Sequence, residues 1–260
     1  MNNKVGTDYF RGEVFDFNSN EPVILNNPEI IWLIQSGSVS IFAVTIKEGV
    51  TEGNRRYLFN CEAGEALFGT IATLSSIEYQ ILAIPIGKVT LLKFDLEIAR
   101  QLVNNQYSNF LTLVEQWLKN FNTTLYNSRV PNIHIKTQGK ESLSLSKGQT
   151  LQSSTDNIIW LQVQEGVLRL LGIKELIITE QIKLLPLPCD LWIEASNDTQ
   201  LTTEITSSLT NADAILKGIS LFHQQFLFCH RLIQKQEQND ELQRLAALDS
   251  LNQQVTAEAL

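Results

Sequence analysis

The residues best suited to chemistry are a few histidines and cysteines. They are His134, His223, His230, Cys61, Cys189 and Cys229. His223 and His230 lie seven residues apart in a predicted helix and so share one face, but two ligands are too few for a metal site. The cysteines fit neither a disulfide framework nor a C-x-x-C pair. We therefore expect reduced cysteines, no metal and no cofactor.

Two acidic residues, Glu65 and Asp190, lie at corresponding predicted turns of the two halves of the chain. A catalytic carboxylate needs an acid or base partner close by, and the sequence offers no such partner. Neither a Ser/His/Asp nor a Cys/His arrangement stands out. We interpret both acids as turn residues that accept backbone N–H groups, and we predict no catalytic residue and no enzymatic activity.

The composition limits the classes of partner. The 260 residues carry a net charge of −8, and Arg55-Arg56 is the nearest approach to a basic cluster. Nucleic-acid binding needs clustered Lys and Arg to neutralise phosphates, so we expect no nucleic-acid partner. The N-terminus lacks the apolar core of a signal peptide. No apolar run approaches the roughly 20 residues that span a bilayer. We therefore predict a cytoplasmic, globular chain that is not inserted into a membrane.

Period-2 strand patterns fill the first half from about Val14 to Lys93, and the alternation in Ser38–Val44 is typical of a half-buried strand. Polar residues at Lys47–Asn54 indicate a hairpin loop. The period then becomes helical from about Leu96 to Tyr126, with Asp95 as N-cap. The apolar face of this predicted helix comprises Phe110, Leu113, Val114, Trp117, Phe121 and Leu125.

The second half repeats this order, with strands from about 133 to 205 and a helix from Asn211 that continues beyond Gln234 as an exposed helix. Ile30–Leu33 and Ile158–Leu161 both read Ile-Ile-Trp-Leu. Each precedes a glycine and an alternating strand, with one extra residue in the second copy. This pattern indicates an internal duplication. We expect Trp32 and Trp160 to anchor the cores of the two copies.

Short strands with close turns favour jelly-roll barrels. The predicted fold is therefore α+β, mainly β, with two tandem barrels that are each followed by a helix. The predicted domains are residues 1–128 and residues 129–260.

The stretch Val39–Phe42, the following hairpin and Cys61–Gly69 together resemble a cyclic-nucleotide-binding domain. In that family a Gly-acid-x-x-Phe-Gly turn leads into the segment that binds the phosphate. The resemblance implies cyclic-nucleotide-binding-like barrels and a set of candidate ligand-pocket residues: Gly64, Glu65, Ala66, Leu67, Phe68, Gly69 and Thr70.

The side chains that such a pocket needs are not all present. Thr70 stands where the family has the Glu that takes the ribose hydroxyl. No Arg occurs between Arg56 and Arg100, and Glu78 lies near the position of the phosphate-binding Arg. Loss of that charge-assisted bond costs about 1.5–3 kcal/mol. The sequence therefore disfavours cyclic-nucleotide binding, most strongly in the second copy.

A wider combination of segments has its own resemblance. The order of Trp32–Phe42, Arg55–Leu58, Gly64–Gly69, Asp190–Ile193 and the terminal helix resembles the N-terminal region of NHLM-type (nitrile-hydratase-like leader) bacteriocin and peptide export ABC transporters. The resemblance implies transmembrane and ATPase parts as partners, although the G-x-x-x-x-G-K-[ST] motif of an ATPase is missing here. It implies a non-catalytic accessory module that recognises the leader peptide of the cargo or couples it to the transporter.

Two alternatives remain open. The first is a small-molecule sensor of the cyclic-nucleotide type, based on Gly64–Thr70. The second is a structural module that dimerises through its terminal helix. The candidate interface residues of that helix are Ile219, Phe222, Phe226, Phe228 and Ile233. The same face could instead pack against the second barrel. If the helix is the dimer interface, truncation after about Asn211 should abolish oligomerisation and leave both barrels folded.

Overall fold

The computed structural model describes residues 12–47, 50–70, 77–105, 108–121, 131–182 and 184–258. The elements of the first half are β1 (Glu13–Phe17), β2 (Val23–Ile24), β3 (Ile30–Lys47), β4 (Val50–Glu62), β5 (Ala66–Phe68), β6 (Ile77–Asp95), α1 (Leu96–Asn104) and α2 (Ser108–Lys119). Those of the second half are β7 (Ile135–Thr137), β8 (Ser142–Leu145), β9 (Thr150–Ser153), β10 (Ile159–Glu165), β11 (Val167–Leu170), β12 (Ile177–Thr179), β13 (Leu185–Leu187), β14 (Trp192–Ala195), β15 (Thr199–Ile205), a 3-10 turn (Thr206–Ser208) and α3 (Ala212–Glu258).

The first half is one antiparallel sheet of six strands in which the long strands β3 and β6 pair along their whole length. Strands β4 and β5 follow one another along the other side of β3, and β1 and β2 pair with β6. The predicted hairpin is present but is shorter than expected, because Lys47 already pairs with Val50. Strand pairing continues through Thr51 and Glu52, although the polarity of these residues predicts a loop.

Alternation along β3 separates an inner from an outer face. Ile31 and Leu33 are buried in the core, whereas Trp32 points to the opposite face and is half-buried. Phe15 and Phe17 of β1 meet the Trp32 ring edge-on, with centroids 5.6 and 6.0 Å away. Trp32 also packs against the hydrophobic core, as does Phe17. The prediction that Trp32 anchors the core is therefore confirmed only in part, because the ring is half-buried and also holds β1 to the sheet.

The predicted linking helix is divided into α1 and α2. Asp95 caps α1 as expected, with Oδ1 accepting a 3.1 Å hydrogen bond from the Ile98 N–H. Helix α1 ends at Asn104 and α2 begins at Ser108. The face predicted for the single helix is the buried face of α2 from Phe110 to Phe121. Its last member, Leu125, lies outside the described residues.

The second half has two sheets, of strand order β13-β10-β15-β8 and β12-β11-β14-β9-β7, in which β7 and β9 are parallel. Trp160 is fully buried beside Gly218 of α3, and its Nε1 donates a 3.0 Å hydrogen bond to Thr206 Oγ1. The core-anchor prediction is confirmed for this residue. Two tandem closed barrels are not confirmed, since the described strands form three sheets.

Strand pairing repeats between the two halves. Ile31 of β3 lies between Phe68 of β5 and Phe94 of β6. Ile159 of β10 lies in the same way between β13 and β15, and all these pairings are antiparallel. The Ile-Ile-Trp-Leu pattern thus begins equivalent strands in both halves.

The glycines of the repeat are equivalent too. Gly37 and Gly166 have φ of +84° and +97°, in the left-handed region that favours glycine. In each half, the register of strand pairing shifts just before this glycine. Gln35 of β3 and Gln164 of β10 are the residues left out of the pairing. After the Ile-Ile-Trp-Leu motif, the second half has two pairs before this irregularity, at Gln162 and Val163, where the first half has one, at Ile34. This difference accounts for the extra residue in the sequence repeat.

Helix α3 begins after Asn211, whose Oδ1 accepts a 3.1 Å hydrogen bond from the Ala214 N–H. Its first part packs on β13 of the second half and also on α1, β5 and β6 of the first. Arg100 of α1 holds Asp213 of α3 through two hydrogen bonds of 3.0 and 2.7 Å. The two halves consequently share one continuous hydrophobic core. The boundary at residue 128 stays a prediction.

The distal part of α3 leaves the body of the protein. Leu242, Leu245 and Leu248 are 64%, 49% and 48% exposed, so the helix continues outward as the sequence predicted. Within the described residues, no helix is both long and apolar enough to cross a membrane.

Candidate functional site

The candidate segment Gly64–Thr70 begins as the turn between β4 and β5. Gly64 has a φ of +97° and its N–H donates to the Ile34 carbonyl at 2.8 Å. Glu65 Oε2 accepts a 2.7 Å hydrogen bond from the Glu62 N–H. The interpretation of Glu65 as a turn acid is confirmed. Its counterpart Asp190 also lies in a turn, where Oδ1 accepts a contact of 3.7 Å from Cys189 Sγ.

The middle of the segment forms β5, in which Ala66, Leu67 and Phe68 are all buried. The Phe68 ring lies 6.3 Å from that of Phe110 and 6.1 Å from that of Trp117. These three candidate residues therefore belong to the hydrophobic core, and their contribution is packing between β3 and α2.

The end of the segment connects two distant parts of the chain. A Cβ on Gly69 would collide with the backbone carbonyl of Asn27, so the close approach requires glycine. Thr70 is fully buried; its N–H donates to the Leu25 carbonyl at 2.9 Å and its hydroxyl donates to the Ser220 carbonyl at 3.3 Å. The segment is thereby attached directly to α3.

Beside Gly69 and Thr70, side chains of α2 and α3 form a buried cluster of Trp117, Phe121, Phe222, His223 and Phe226. The rings meet at centroid distances of 4.7 to 6.1 Å, and several pairs are edge-on, which is a favourable geometry for aromatic pairs. Trp117 Nε1 donates a 2.8 Å hydrogen bond to His223 Nε2. Each helical face was predicted from its own periodicity, but nothing in the spacing indicated that the two faces meet.

The hydrogen bond from Trp117 fixes the state of His223. Because Nε2 accepts, the neutral ring carries its proton on Nδ1. Burial lowers the pKa of His223 to about 3, opposed by the backbone of Gly69. Nδ1 makes no hydrogen bond of good geometry within the described part of the chain, and Gly69 is the group near enough to favour its protonation. His223 is thus a neutral acceptor locked in the core.

His230 lies about two helical turns after His223 on α3. It is 2% exposed, and its ring centroid lies 4.4 Å from that of Phe226. Burial lowers the pKa of His230 to about 4, and the positive charge of Arg56 on β4 adds to the effect. In the described structure neither ring nitrogen has a hydrogen-bond partner. The spacing of His223 and His230 on one helical face gave no indication of this environment.

Within the described residues, none of the three cysteines forms a disulfide. Burial raises the pKa of Cys61 far above its ordinary value and that of Cys229 to about 12. The half-buried Cys189 has a raised pKa through burial and the charge of Asp190. All three are therefore thiols at neutral pH, a state of low nucleophilicity. Across the described ranges, no three His, Cys, Asp or Glu side chains are grouped as metal ligands.

The candidate interface residues are mainly internal. Ile219, Phe222 and Phe226 are buried within the chain, and Phe228 is half-buried. The side chain of Ile233 lies outside the described part. Burial within the chain, one of the two alternatives for this face, is what the structure shows for the first three residues. They cover the first half of the chain as well as the second.

Comparison with known proteins gives neither a matching family model nor a matching curated protein. The solved structures that are similar are cyclic-nucleotide-binding-domain proteins. The heme domain of CooA from Carboxydothermus hydrogenoformans is 18% identical, with 44% of this chain and 81% of that chain covered and a TM-score of 0.28. The regulatory subunit of a cAMP-independent protein kinase A from Trypanosoma cruzi, bound to guanosine, is 9% identical over 86% and 82%, with a TM-score of 0.27. Thermus thermophilus catabolite activator protein is 22% identical over 43% and 51%, with a TM-score of 0.30.

Proposed function

We propose that this chain is a non-catalytic regulatory module made of two tandem cyclic-nucleotide-binding-like units. In this proposal, a conformational change in the Gly64–Thr70 segment is transmitted to helix α3, and from α3 to a protein partner. The observation that carries the proposal is the direct bond from the Thr70 hydroxyl to the Ser220 carbonyl, next to the Trp117–His223 bond. A displacement of the segment would have to move α3.

Support for a tandem arrangement comes from the repeated strand pairing. Strands β3, β5 and β6 pair in the same order and direction as β10, β13 and β15. Each set is followed by helical structure, α1 and α2 in the first half and α3 in the second. This is the arrangement that duplication of one unit would produce.

The proposed partner follows from the sequence resemblance to NHLM-type peptide export ABC transporters. In that setting the module lies on the cytosolic side of the membrane, beside the transmembrane and ATPase parts. There it recognises the leader peptide of the cargo or couples the cargo to the transporter. The distal part of α3, with Leu242, Leu245 and Leu248 exposed, provides apolar surface for a protein contact.

We do not assign cyclic-nucleotide binding to the Gly64–Thr70 segment. The Glu65 carboxylate and the Thr70 hydroxyl are both engaged in internal hydrogen bonds, and the residues between them are buried. A ligand at this position would have to replace those bonds, and each buried group left unpaired costs about 1–3 kcal/mol.

The test is a titration of the chain with a synthetic leader peptide of the nitrile-hydratase-like type. The four tryptophans report binding by fluorescence, and a peptide of the same composition in scrambled order is the control. We expect saturable binding of the leader peptide and none of the scrambled peptide. Absence of binding up to high micromolar peptide, or equal binding of both peptides, would contradict cargo recognition.

A further inference from the structure

Trp192 of β14 is buried on the side of the second half that faces away from the core. It is 7% exposed, yet it belongs to neither hydrophobic cluster of the described residues. Ile193 and Ala195 of the same strand point into the core and are fully buried. Because side chains alternate along a strand, Trp192, Glu194 and Ser196 share the opposite, outer face of the five-stranded sheet.

Polar atoms on this outer face lack partners. Within the described residues, no hydrogen bond is made by the buried atoms Trp192 Nε1, Ser196 Oγ and Arg169 Nε. Arg169 lies on the adjacent strand β11, directly opposite Glu194. The great majority of buried polar side-chain atoms in native folds are hydrogen-bonded, so three unpaired groups on two neighbouring strands call for an explanation.

Arg169 and Glu194 carry opposite charges but do not pair. Their Cβ atoms are expected about 4.5–5.5 Å apart, the usual distance for residues that lie opposite each other in antiparallel strands. Across the described ranges, neither side chain has an ion pair or a hydrogen bond. Both side chains are half-buried and therefore reachable from solvent. The sheet thus presents a guanidinium and a carboxylate side by side, each available to a ligand.

A strained turn covers this position. Leu171 and Gly172, which follow β11, have φ of +53° and +66°. A positive φ is unfavourable for leucine, because its Cβ comes too close to the following carbonyl oxygen. A Cβ added at Gly172 would lie 3.0 Å from both Glu194 Oε2 and Trp192 Cη2, so the turn rests on those two side chains. Strained backbone of this kind is concentrated at functional sites.

We propose that Arg169, Trp192, Glu194 and Ser196 form a binding site for a free amino acid under the Leu171–Gly172 turn. An ion of a single charge would be attracted by one of the two charged side chains and repelled by the other. A zwitterion satisfies both, with its carboxylate accepting from the Arg169 guanidinium and its ammonium donating to Glu194. When the turn moves aside, Trp192 Nε1 and Ser196 Oγ can donate to the same carboxylate.

The side chain of the bound amino acid has an apolar neighbour on this face. Ile177 of β12 lies opposite Arg169 and is 48% exposed. An aliphatic ligand side chain would cover this surface, so aliphatic amino acids should bind more tightly than glycine. The site uses residues of the second half alone, and it does not rest on the function proposed for Gly64–Thr70 and α3.

The experiment is thermal denaturation of the whole chain with each of the protein amino acids added singly. Every amino acid that raises the denaturation temperature is then titrated by isothermal calorimetry. We expect saturable binding of an aliphatic amino acid such as L-leucine. The analogues 4-methylpentanoate and 3-methylbutylamine each keep one of the two charged groups of leucine, and both are expected to bind at least about tenfold more weakly.

Two substitutions locate the site. Arg169→Met and Glu194→Gln are each expected to weaken binding of the same amino acid at least about tenfold, because each removes the partner of one charged group. Lys147→Met and Glu165→Gln remove equal charges from exposed positions of the same half. These two control variants are expected to bind the amino acid like the unaltered chain.

Each outcome decides the proposal. Lack of binding by every amino acid would overturn it. So would unchanged affinity in Arg169→Met and Glu194→Gln, or an analogue of single charge that binds as tightly as the amino acid. The analogue comparison uses the unaltered chain and therefore holds even where a variant fails to fold. Absence of leader-peptide binding with amino-acid binding intact would reject the cargo function and leave this site standing.

Discussion

Trp117 Nε1 donates a 2.8 Å hydrogen bond to His223 Nε2 across a sequence separation of 106 residues. Both side chains are essentially inaccessible to solvent. The bond joins α2 of the first half to α3, and it holds His223 in one tautomer. It is therefore a structural link between the two halves and a constraint on the protonation of the core.

Trp117→Phe tests this link. Phenylalanine keeps an aromatic ring in the cluster but leaves Nε2 of His223 buried without a donor and opens a small void. We expect a loss of about 2–3 kcal/mol in the free energy of unfolding, measured by urea denaturation. Trp32→Phe is the matched control, because Trp32 is only half-buried, and a smaller loss is expected. Equal losses in both variants would show that the Trp117–His223 bond adds nothing.

The stability of the chain should fall with acidification. The folded-state pKa values of His223 and His230 are lowered to about 3 and about 4, below the ordinary value of 6.5. The unfolded chain therefore binds protons first as the pH falls. The stabilisation by each neutral ring is fully present above pH about 6.5 and is lost between there and its folded pKa, by up to about 1.4 kcal/mol per pH unit.

The measurement is the free energy of unfolding at a series of pH values between 7 and 4.5. His230→Leu is expected to reduce the slope, because it removes one of the two titrating rings. Trp32→Phe, which removes no titratable group, is the control and should keep the slope of the unaltered chain. A slope in His230→Leu equal to that of the unaltered chain would mean that His230 is protonated equally in both states.

Two glycines of the candidate segment should respond differently to alanine. At Gly64 a Cβ would meet nothing within 4 Å, so Gly64→Ala carries only the strain of a positive φ, about 1–2 kcal/mol. At Gly69 a Cβ would strike the Asn27 backbone carbonyl, which cannot rotate away. We expect Gly69→Ala to destabilise the chain by about 3 kcal/mol, measured by thermal denaturation with Gly64→Ala alongside. A larger loss of stability in Gly64→Ala than in Gly69→Ala would contradict the close backbone approach at Gly69.

Truncation separates the two parts of α3. A chain that ends at Gln234 keeps the buried residues Phe222, Phe226 and His230, so it should retain a denaturation temperature close to that of the full chain. A chain that ends at Asn211 lacks them and exposes Trp117 and its neighbours, so the first half should lose cooperative unfolding. This outcome differs from the sequence-based expectation that both units fold without the helix.

The same two chains test dimerisation through the distal helix. If the exposed leucines from Leu242 to Leu248 mediate self-association, sedimentation should show a dimer for the full chain and a monomer for the chain that ends at Gln234. A monomer in both cases would contradict the structural dimerisation alternative.

Local patterns predicted local structure well. The Asp95 cap, the start of α3 after Asn211 and the equivalent glycines Gly37 and Gly166 were all indicated by residue type and spacing. These features depend on hydrogen bonds within one turn or one strand pair, which a short stretch of sequence specifies.

Long-range relationships were not predictable in this way. Alternation marked Trp32 as a strand residue but could not show that it would be only half-buried, packed between the core and β1. The aromatic face of α3 was identified, yet its contact with α2 depends on how two distant elements pack. The burial of His230 and the effect of the Arg56 charge on it depend on how α3 packs on the first sheet, and no spacing in the sequence encodes that packing.

The covering of the first sheet by α3 has a consequence for the order in which the protein is made. Thr70 meets its partner Ser220 only after 150 further residues have been synthesised. During translation, Phe68, Trp117 and Phe121 of the first half therefore stay incompletely covered until the beginning of α3 emerges from the ribosome. Contacts of such long sequence separation slow folding, so this exposed surface would be the natural target of a chaperone during translation.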